Sequence, residues 1–286
     1  MIKAYSNSFV VEDGPDQYEC LARGRFRRAD QWVVTGDRVQ YTPTGEGRGV
    51  IEVILPRQSY LERPPVANVD QCIVVMAPAA PPLDLLLLDR FLLQVAGARM
   101  EAVICLNKTD LEDGDSGAGE VLAPYRQSGY PVIVTSSYTG QGLEELAKTL
   151  SGRISVLAGP SGVGKSSLLN ALDPALSLAT GALSRKTQRG THTTRAVSLL
   201  RVGSGFVADT PGFTHLDLQL APADLAELYP EMAGRRQECR FRDCLHRHEP
   251  GCSVVARVES GEVDRGRYER YLTILQELKT KEDERW

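Results

Sequence analysis

The eight residues GPSGVGKS at positions 159–166 constrain this chain more than any other stretch. An apolar run at 154–158 precedes them, and a segment of helix-forming composition, 165–172, follows. A strand, a glycine-rich turn and a helix in that order build a phosphate cradle. Gly159 and Gly164 admit backbone angles that a side chain would block. The N–H groups of the loop then point inward, at the positive end of the helix dipole. The expected phosphate-binding set is Gly159, Pro160, Ser161, Gly162, Val163, Gly164, Lys165, Ser166 and Ser167. Lys165 is placed to reach the β- and γ-phosphates, and the Ser166 hydroxyl to ligate magnesium.

A chain of 286 residues has room for one to three domains. Its formal net charge of -4 gives no global case for nucleic-acid binding, so any basic surface must be local. The first fifteen residues lack the basic-then-apolar layout of a signal peptide. The longest apolar stretch, 81–95, is interrupted by Asp84, Asp89 and Arg90, so no membrane span is expected, and the cytoplasm is the expected location. Cys20, Cys72 and Cys105 are scattered and read as small core residues. Cys239, Cys244 and Cys252 are bunched with histidines, which in a reducing compartment points to metal and not to disulfides.

Residues 1–66 read as a small β domain, with strands expected at 9–11, 18–21, 32–34, 39–41 and 50–54. A five-stranded barrel of the oligonucleotide-binding kind fits that count, and a small sandwich or SH3-like barrel fits nearly as well. Four arginines surround Phe26 in 23–28, either as a solvated edge or as an RNA contact in which the aromatic stacks. Arg63-Pro64-Pro65 reads as a linker. In residues 67–220, strands at 71–76, 102–106, 132–134 and 154–158 alternate with helices at 83–98, 119–128, 143–150 and 165–172, the second bent or shortened by Pro124. That alternation predicts a doubly wound α/β domain.

Asn107, Lys108, Thr109 and Asp110 fall at the carboxyl end of a predicted strand, where open parallel sheets bind ligands. A carboxylate there can accept hydrogen bonds from N1–H and the 2-amino group of guanine, a donor pair that adenine lacks. Asn107 and Lys108 would buttress the base and the loop. Thr135, Ser136 and Ser137, at the next strand end, are placed for a second base-contacting loop. Beyond the phosphate loop, residues 184–195 are polar and basic, and Thr193 or Thr194 can complete magnesium coordination as in a switch loop. Two strands, 196–202 and 206–208, lead to DTPG at 209–212. Asp209 is expected to hold magnesium and the Gly212 N–H to meet the γ-phosphate.

Residues 221–286 carry Cys239-x4-Cys244-x-His246-x5-Cys252, three thiolates and an imidazole in a short irregular stretch. Four such ligands close a tetrahedral zinc site, a structural role, with His248 as a rival fourth ligand. Arg235, Arg236, Arg240, Arg242 and Arg247 surround them against Glu238 and Asp243. That local excess suits either a solvated face or nucleic-acid phosphates. Apolar residues at helical spacing in 258–279 predict a helix packed on the preceding regions.

These residues resemble the five motifs of a Ras-like GTPase met in rotated order. NKTD (107–110) and TSS (135–137) precede GPSGVGKS, THTT (191–194) and DTPG. The order is that of a circular permutation, which a sheet survives because burial depends on which strands are neighbours. With a small β domain before it and CRFRDCLHRHEPGC after it, the chain resembles the RsgA family, ribosome small-subunit-dependent GTPases. The resemblance implies a factor that binds the small ribosomal subunit and its rRNA late in assembly and hydrolyses GTP there; a monomer with no membrane contact is expected. It also implies Mg2+, and one structural zinc with His246 as fourth ligand. Phe213 stands where many GTPases keep a water-orienting glutamine, so slow intrinsic hydrolysis and an activating partner are expected. Lys165, Thr193 and His192 are the candidate catalytic residues, with His215 a further possibility. The rival readings are an RNA-binding module whose nucleotide only locks its shape, and a metabolic phosphotransferase.

Overall fold

In the computed structural model the five amino-terminal strands are β1 (Lys3–Ala4), β2 (Phe9–Asp13), β3 (Asp16–Ala22), β4 (Val39–Gly45) and β5 (Arg48–Ile54). The structure describes residues 1–5, 8–27, 32–62, 65–111, 117–178, 197–209 and 220–284, without the side chains of Arg25, Arg27, Glu62, Ala118 and Asp209. The strands lie in the order β1-β2-β3-β5-β4, with β3 and β5 parallel and the other pairs antiparallel. This is an oligonucleotide-binding-type Greek-key order around a core of Val11, Cys20, Phe26 and Ile51.

Three expectations for this region change. Residues 32–34 form no strand, because the buried Asp37 carboxylate takes the Val34 N–H at 2.8 Å and closes a turn; Lys3–Ala4 supplies the fifth strand instead. Phe26 is buried in the barrel core and cannot stack on a base, while Arg23 is paired with Glu52. Pro65, expected in a linker, opens a short strand: β6 (Tyr60–Glu62) and β7 (Pro65–Ala67) pair antiparallel.

Next come β8 (Gln71–Met76), β9 (Glu101–Leu106), β10 (Val132–Val134), β11 (Ile154–Ala158), β12 (Ser198–Val202) and β13 (Gly205–Asp209). Their order is β10-β9-β8-β11-β13-β12, parallel except where β12 runs against β13. All six positions of β8 are buried. Its alternate residues feed two cores, as a parallel strand covered on both faces must. Cys72, Val74 and Met76 pack under α1 (Leu85–Gly97), while Ile73 and Val75 join Leu146, Leu150 and Leu168 of α4 (Leu143–Leu150) and α5 (Lys165–Leu172). The helix expected at 119–128 is split into α2 (Ala118–Val121) and α3 (Ala123–Gln127), with Pro124 in the first turn of α3, where its missing N–H costs nothing.

β1 also pairs antiparallel with β12 through Lys3 and Ser198, making one 11-stranded sheet. The Thr35 hydroxyl donates to the Val197 carbonyl at 2.8 Å, and Arg201 pairs with Glu12 across the same seam. The carboxyl-terminal region holds α6 (Ser253–Glu259) and α7 (Arg265–Asp283) in place of one helix at 258–279. The break is set by Asp264, whose carboxylate accepts from the Arg267 N–H and caps α7. Among the described residues no helix is long and apolar enough to cross a membrane.

Candidate functional site

The phosphate loop leaves β11 and enters α5, and its glycines are required by contact as well as by angle. Gly159 has φ +129° and a Cβ there would lie 2.0 Å from the Val75 carbonyl oxygen. Gly164 has φ +97° and a Cβ would meet the Asn107 amide nitrogen at 2.4 Å. Lys165 folds over the loop, its ammonium donating to the carbonyls of Gly159 (2.7 Å) and Pro160 (2.8 Å). Burial lowers its pKa to about 8, so an anion arriving beside it restores charge that desolvation penalises.

Asn107 joins the motifs. Fully buried, it donates to the Val163 carbonyl in the phosphate loop at 2.9 Å. Its side-chain oxygen accepts from the Ser137 N–H and the Thr135 hydroxyl, each at 3.2 Å. One amide thus ties together three segments that lie at 107, 135–137 and 163 in the chain. Lys108, at φ +65°, reaches across to the Ala80 carbonyl at 2.7 Å. Thr109 donates to the Thr135 carbonyl at 3.1 Å. Asp110 sits exposed at the strand ends, one carboxylate oxygen held by the Ser136 hydroxyl at 2.5 Å. Ser136 is fixed in turn by the N–H groups of Tyr138 (3.2 Å) and Thr139 (3.0 Å). A carboxylate held from one side and open on the other can read the paired donors of guanine.

Ser166 and Ser167 lie in the first turn of α5, half-buried. Asp209 ends β13, the strand beside β11. Its side chain, together with His192, Thr193, Thr194, Gly212, Phe213 and His215, lies outside the described residues. The Ser166 hydroxyl, next to Lys165 at the helix start, is an oxygen that could ligate a phosphate-bound magnesium. Cys105 and Cys72 are core residues as expected; burial pushes the Cys105 thiol up to about 12 and Cys72 higher.

The donor atoms of Cys239, Cys244, His246 and Cys252 all lie within 4.8 Å of one another. His246 turns Nδ1 toward the sulfurs, at 3.5 Å from Cys239, 3.7 Å from Cys244 and 3.3 Å from Cys252. Burial, and then the Arg236 charge, lower the His246 pKa and favour the neutral imidazole that ligates metal. Three sulfurs and one nitrogen converging in this way fit one tetrahedral zinc with no open position. His248 is exposed and outside the cluster.

Sequence reasoning missed a second buried assembly. Arg267, 1% exposed, bonds Asp89 of α1 at 2.6 Å and Glu231 at 2.7 and 3.1 Å. Its guanidinium lies over the rings of Tyr125 and Tyr229, 4.6 and 5.0 Å from their centroids. Arg270 takes the other Asp89 oxygen at 2.6 Å. The signal is Asp89 itself, a carboxylate inside an apolar helix.

With this geometry in place, the comparisons with known proteins are specific. Residues 54–219 match the family described as RsgA GTPase, and residues 1–51 match the RsgA N-terminal domain. A protein of Moorella thermoacetica named small ribosomal subunit biogenesis GTPase RsgA is 48% identical, over 99% of this chain and 97% of its own. Its namesake in Geobacillus thermodenitrificans is 46% identical, over 98% and 96%. Among solved structures, YjeQ from Thermotoga maritima superposes with a TM-score of 0.86 at 40% identity, covering 97% of this chain and 96% of its own. YloQ, described as a circularly permuted GTPase, gives 0.84 at 35% identity, covering 98% and 94%.

Proposed function

The chain belongs to the RsgA GTPase family, whose curated relatives are named for small ribosomal subunit biogenesis, and on that premise we propose that it binds the small subunit and hydrolyses GTP to GDP and phosphate late in its maturation. The observation that carries this reading is the Asn107 amide, which couples a guanine-reading loop to a phosphate loop 56 residues further along the chain. We assign residues 1–66 to an RNA-binding barrel, 67–220 to the permuted GTPase domain and 221–286 to the zinc domain. Asp110 selects the base, and Ser136 and Ser137 shape the base loop. Lys165 and the loop N–H groups hold the phosphates, with Thr193, Asp209 and Gly212 closing on the γ-phosphate end. Magnesium, held by Ser166 with Thr193 and Asp209, would neutralise charge on the transferring phosphoryl group.

Phe213 cannot orient water by hydrogen bonding, so the subunit is expected to supply or position that group, help worth about 10³–10⁵ in rate. His192 is the proposed residue that meets it. The factor acts as a monomer in the cytoplasm, where subunits mature. GTP hydrolysis measured against a titration of small subunits, with large subunits and bare rRNA as controls, tests the reading. Stimulation by small subunits alone is expected; a flat response would refute it. Full stimulated turnover in His192→Ala would remove that residue from the mechanism.

A further inference from the structure

A cavity of about 280 Å³ lies between the outer face of α7 and the segment that follows His246. Leu272 and Leu275 line it as apolar residues, and Thr273 and Gln276 add polar groups. Arg247, His248 and Lys279 add cationic or proton-donating side chains. The α7 contributors recur at 272, 275–276 and 279, the spacing of one helical face. The Thr273 hydroxyl donates to the Glu269 carbonyl at 3.0 Å, so what it can offer a ligand is an acceptor. Gln276 offers both a donor and an acceptor.

No carboxylate lines the cavity among the described residues. Glu249, close by in sequence, has its oxygens committed to the N–H groups of Leu245 (2.9 Å), Arg247 (2.7 Å) and His248 (3.0 Å). The opposite wall is held from α7 itself. The Tyr268 hydroxyl lies 2.8 Å from the carbonyl oxygens of both His246 and Arg247, and Tyr271 donates to the Leu245 carbonyl at 2.6 Å. The site is therefore shaped before anything enters it.

Its volume falls just below that of drug-sized ligand sites, which run from roughly 300 to 1,000 Å³, so it has room for one small group and no more. Leu275 is buried, so the half-buried Leu272 supplies the apolar contact; beside an amide and a hydroxyl it suits one face of a flat heterocycle with a polar edge, and Arg247 and Lys279 suit its phosphate. RNA presents such groups singly, where unstacked bases are splayed out of a strand. We propose that this cavity takes one everted nucleotide of a single-stranded RNA segment, its base over Leu272 and its edge at Gln276 and Thr273. The phosphate lies between Arg247 and Lys279. This rests on the proposed function only for the source of the RNA, the small subunit.

The test uses the full-length protein and a fluorescent, unstructured ten-nucleotide RNA, with small-subunit binding read in parallel. Thr273→Trp fills the cavity and leaves every charge in place; Arg247→Glu and Lys279→Glu reverse the charges and leave the space. Each variant is expected to weaken oligonucleotide binding about tenfold, the scale of losing one recognised base. Thermal midpoint and subunit-independent GTP hydrolysis should stay unchanged. Wild-type affinity in Thr273→Trp, with losses only in the charge variants, would mean diffuse electrostatic attraction and overturn the pocket. Losses confined to small subunits and absent with the oligonucleotide would mean a protein partner and overturn it too. Wild-type protein whose hydrolysis ignores small subunits would count against the proposed function, whatever the oligonucleotide does.

Discussion

Lys165 shows how a single residue carries both binding and pH dependence. Its ammonium is desolvated and donates to two loop carbonyls, and its pKa falls to about 8. Nucleotide phosphates favour the charged form and so raise that value. Above pH 8 the free protein holds this amine largely neutral, so GDP binding at pH 8.5 should take up a proton; near pH 6.5 the amine is already charged and contributes none. Calorimetry in buffers of different ionisation enthalpy measures the difference. Lys165→Arg should abolish the uptake, because a guanidinium does not titrate. That this lysine would open a helix behind a glycine-rich turn was legible in GPSGVGKS. That Asn107 spans to Val163 was not, since no local pattern says which carbonyl a buried amide will find.

At the scale of elements, α7 is held on α1 by charge as well as by apolar contact. Burial opposes the Arg267 charge, and the Asp89 and Glu231 carboxylates overcome it, leaving its pKa raised. Arg267→Met would leave Arg270 on Asp89 but strand Glu231, and breaking a buried pair in this way costs about 3–5 kcal/mol. Urea unfolding should register that loss at neutral pH. Arg267→Met with Glu231→Gln should recover part of it. Element positions were legible from apolar runs and composition, and β8, β10, β11, α4 and α5 fall where these put them. The fracture of the tail into α6 and α7 was not, because the Asp264 cap competes with a continuous helical pattern that the apolar residues alone support.

For the whole molecule, the zinc cluster is the fixed point of the carboxyl-terminal region, since the ligand-bearing segment has little regular structure of its own. Elemental analysis should find about one zinc per chain. Chelation should strip hydrogen-exchange protection from residues 239–252 and from the α7 turns bearing Tyr268 and Tyr271, whose hydroxyls hold that segment. GDP affinity should survive, because the nucleotide loops belong to a separate core. Unchanged protection after complete metal removal would refute the structural role. At the amino-terminal end the barrel joins the GTPase sheet along β12 through β1, a strand too short to carry an alternation signal.

Residue types and their spacing were enough for the glycine-rich loop between strand and helix, the carboxylate at a strand end, three clustered cysteines with a neighbouring histidine, and the rotated order of the motifs. Such features are local, and a few residues at fixed spacing suffice to impose them. How the parts meet came from packing: Asn107 across to the phosphate loop, Phe26 into the barrel core, Asp89 onto Arg267, and a cavity beside the cysteine–histidine cluster. Those outcomes depend on which surfaces the packed elements bring within a few ångströms, and distance along the chain does not encode that.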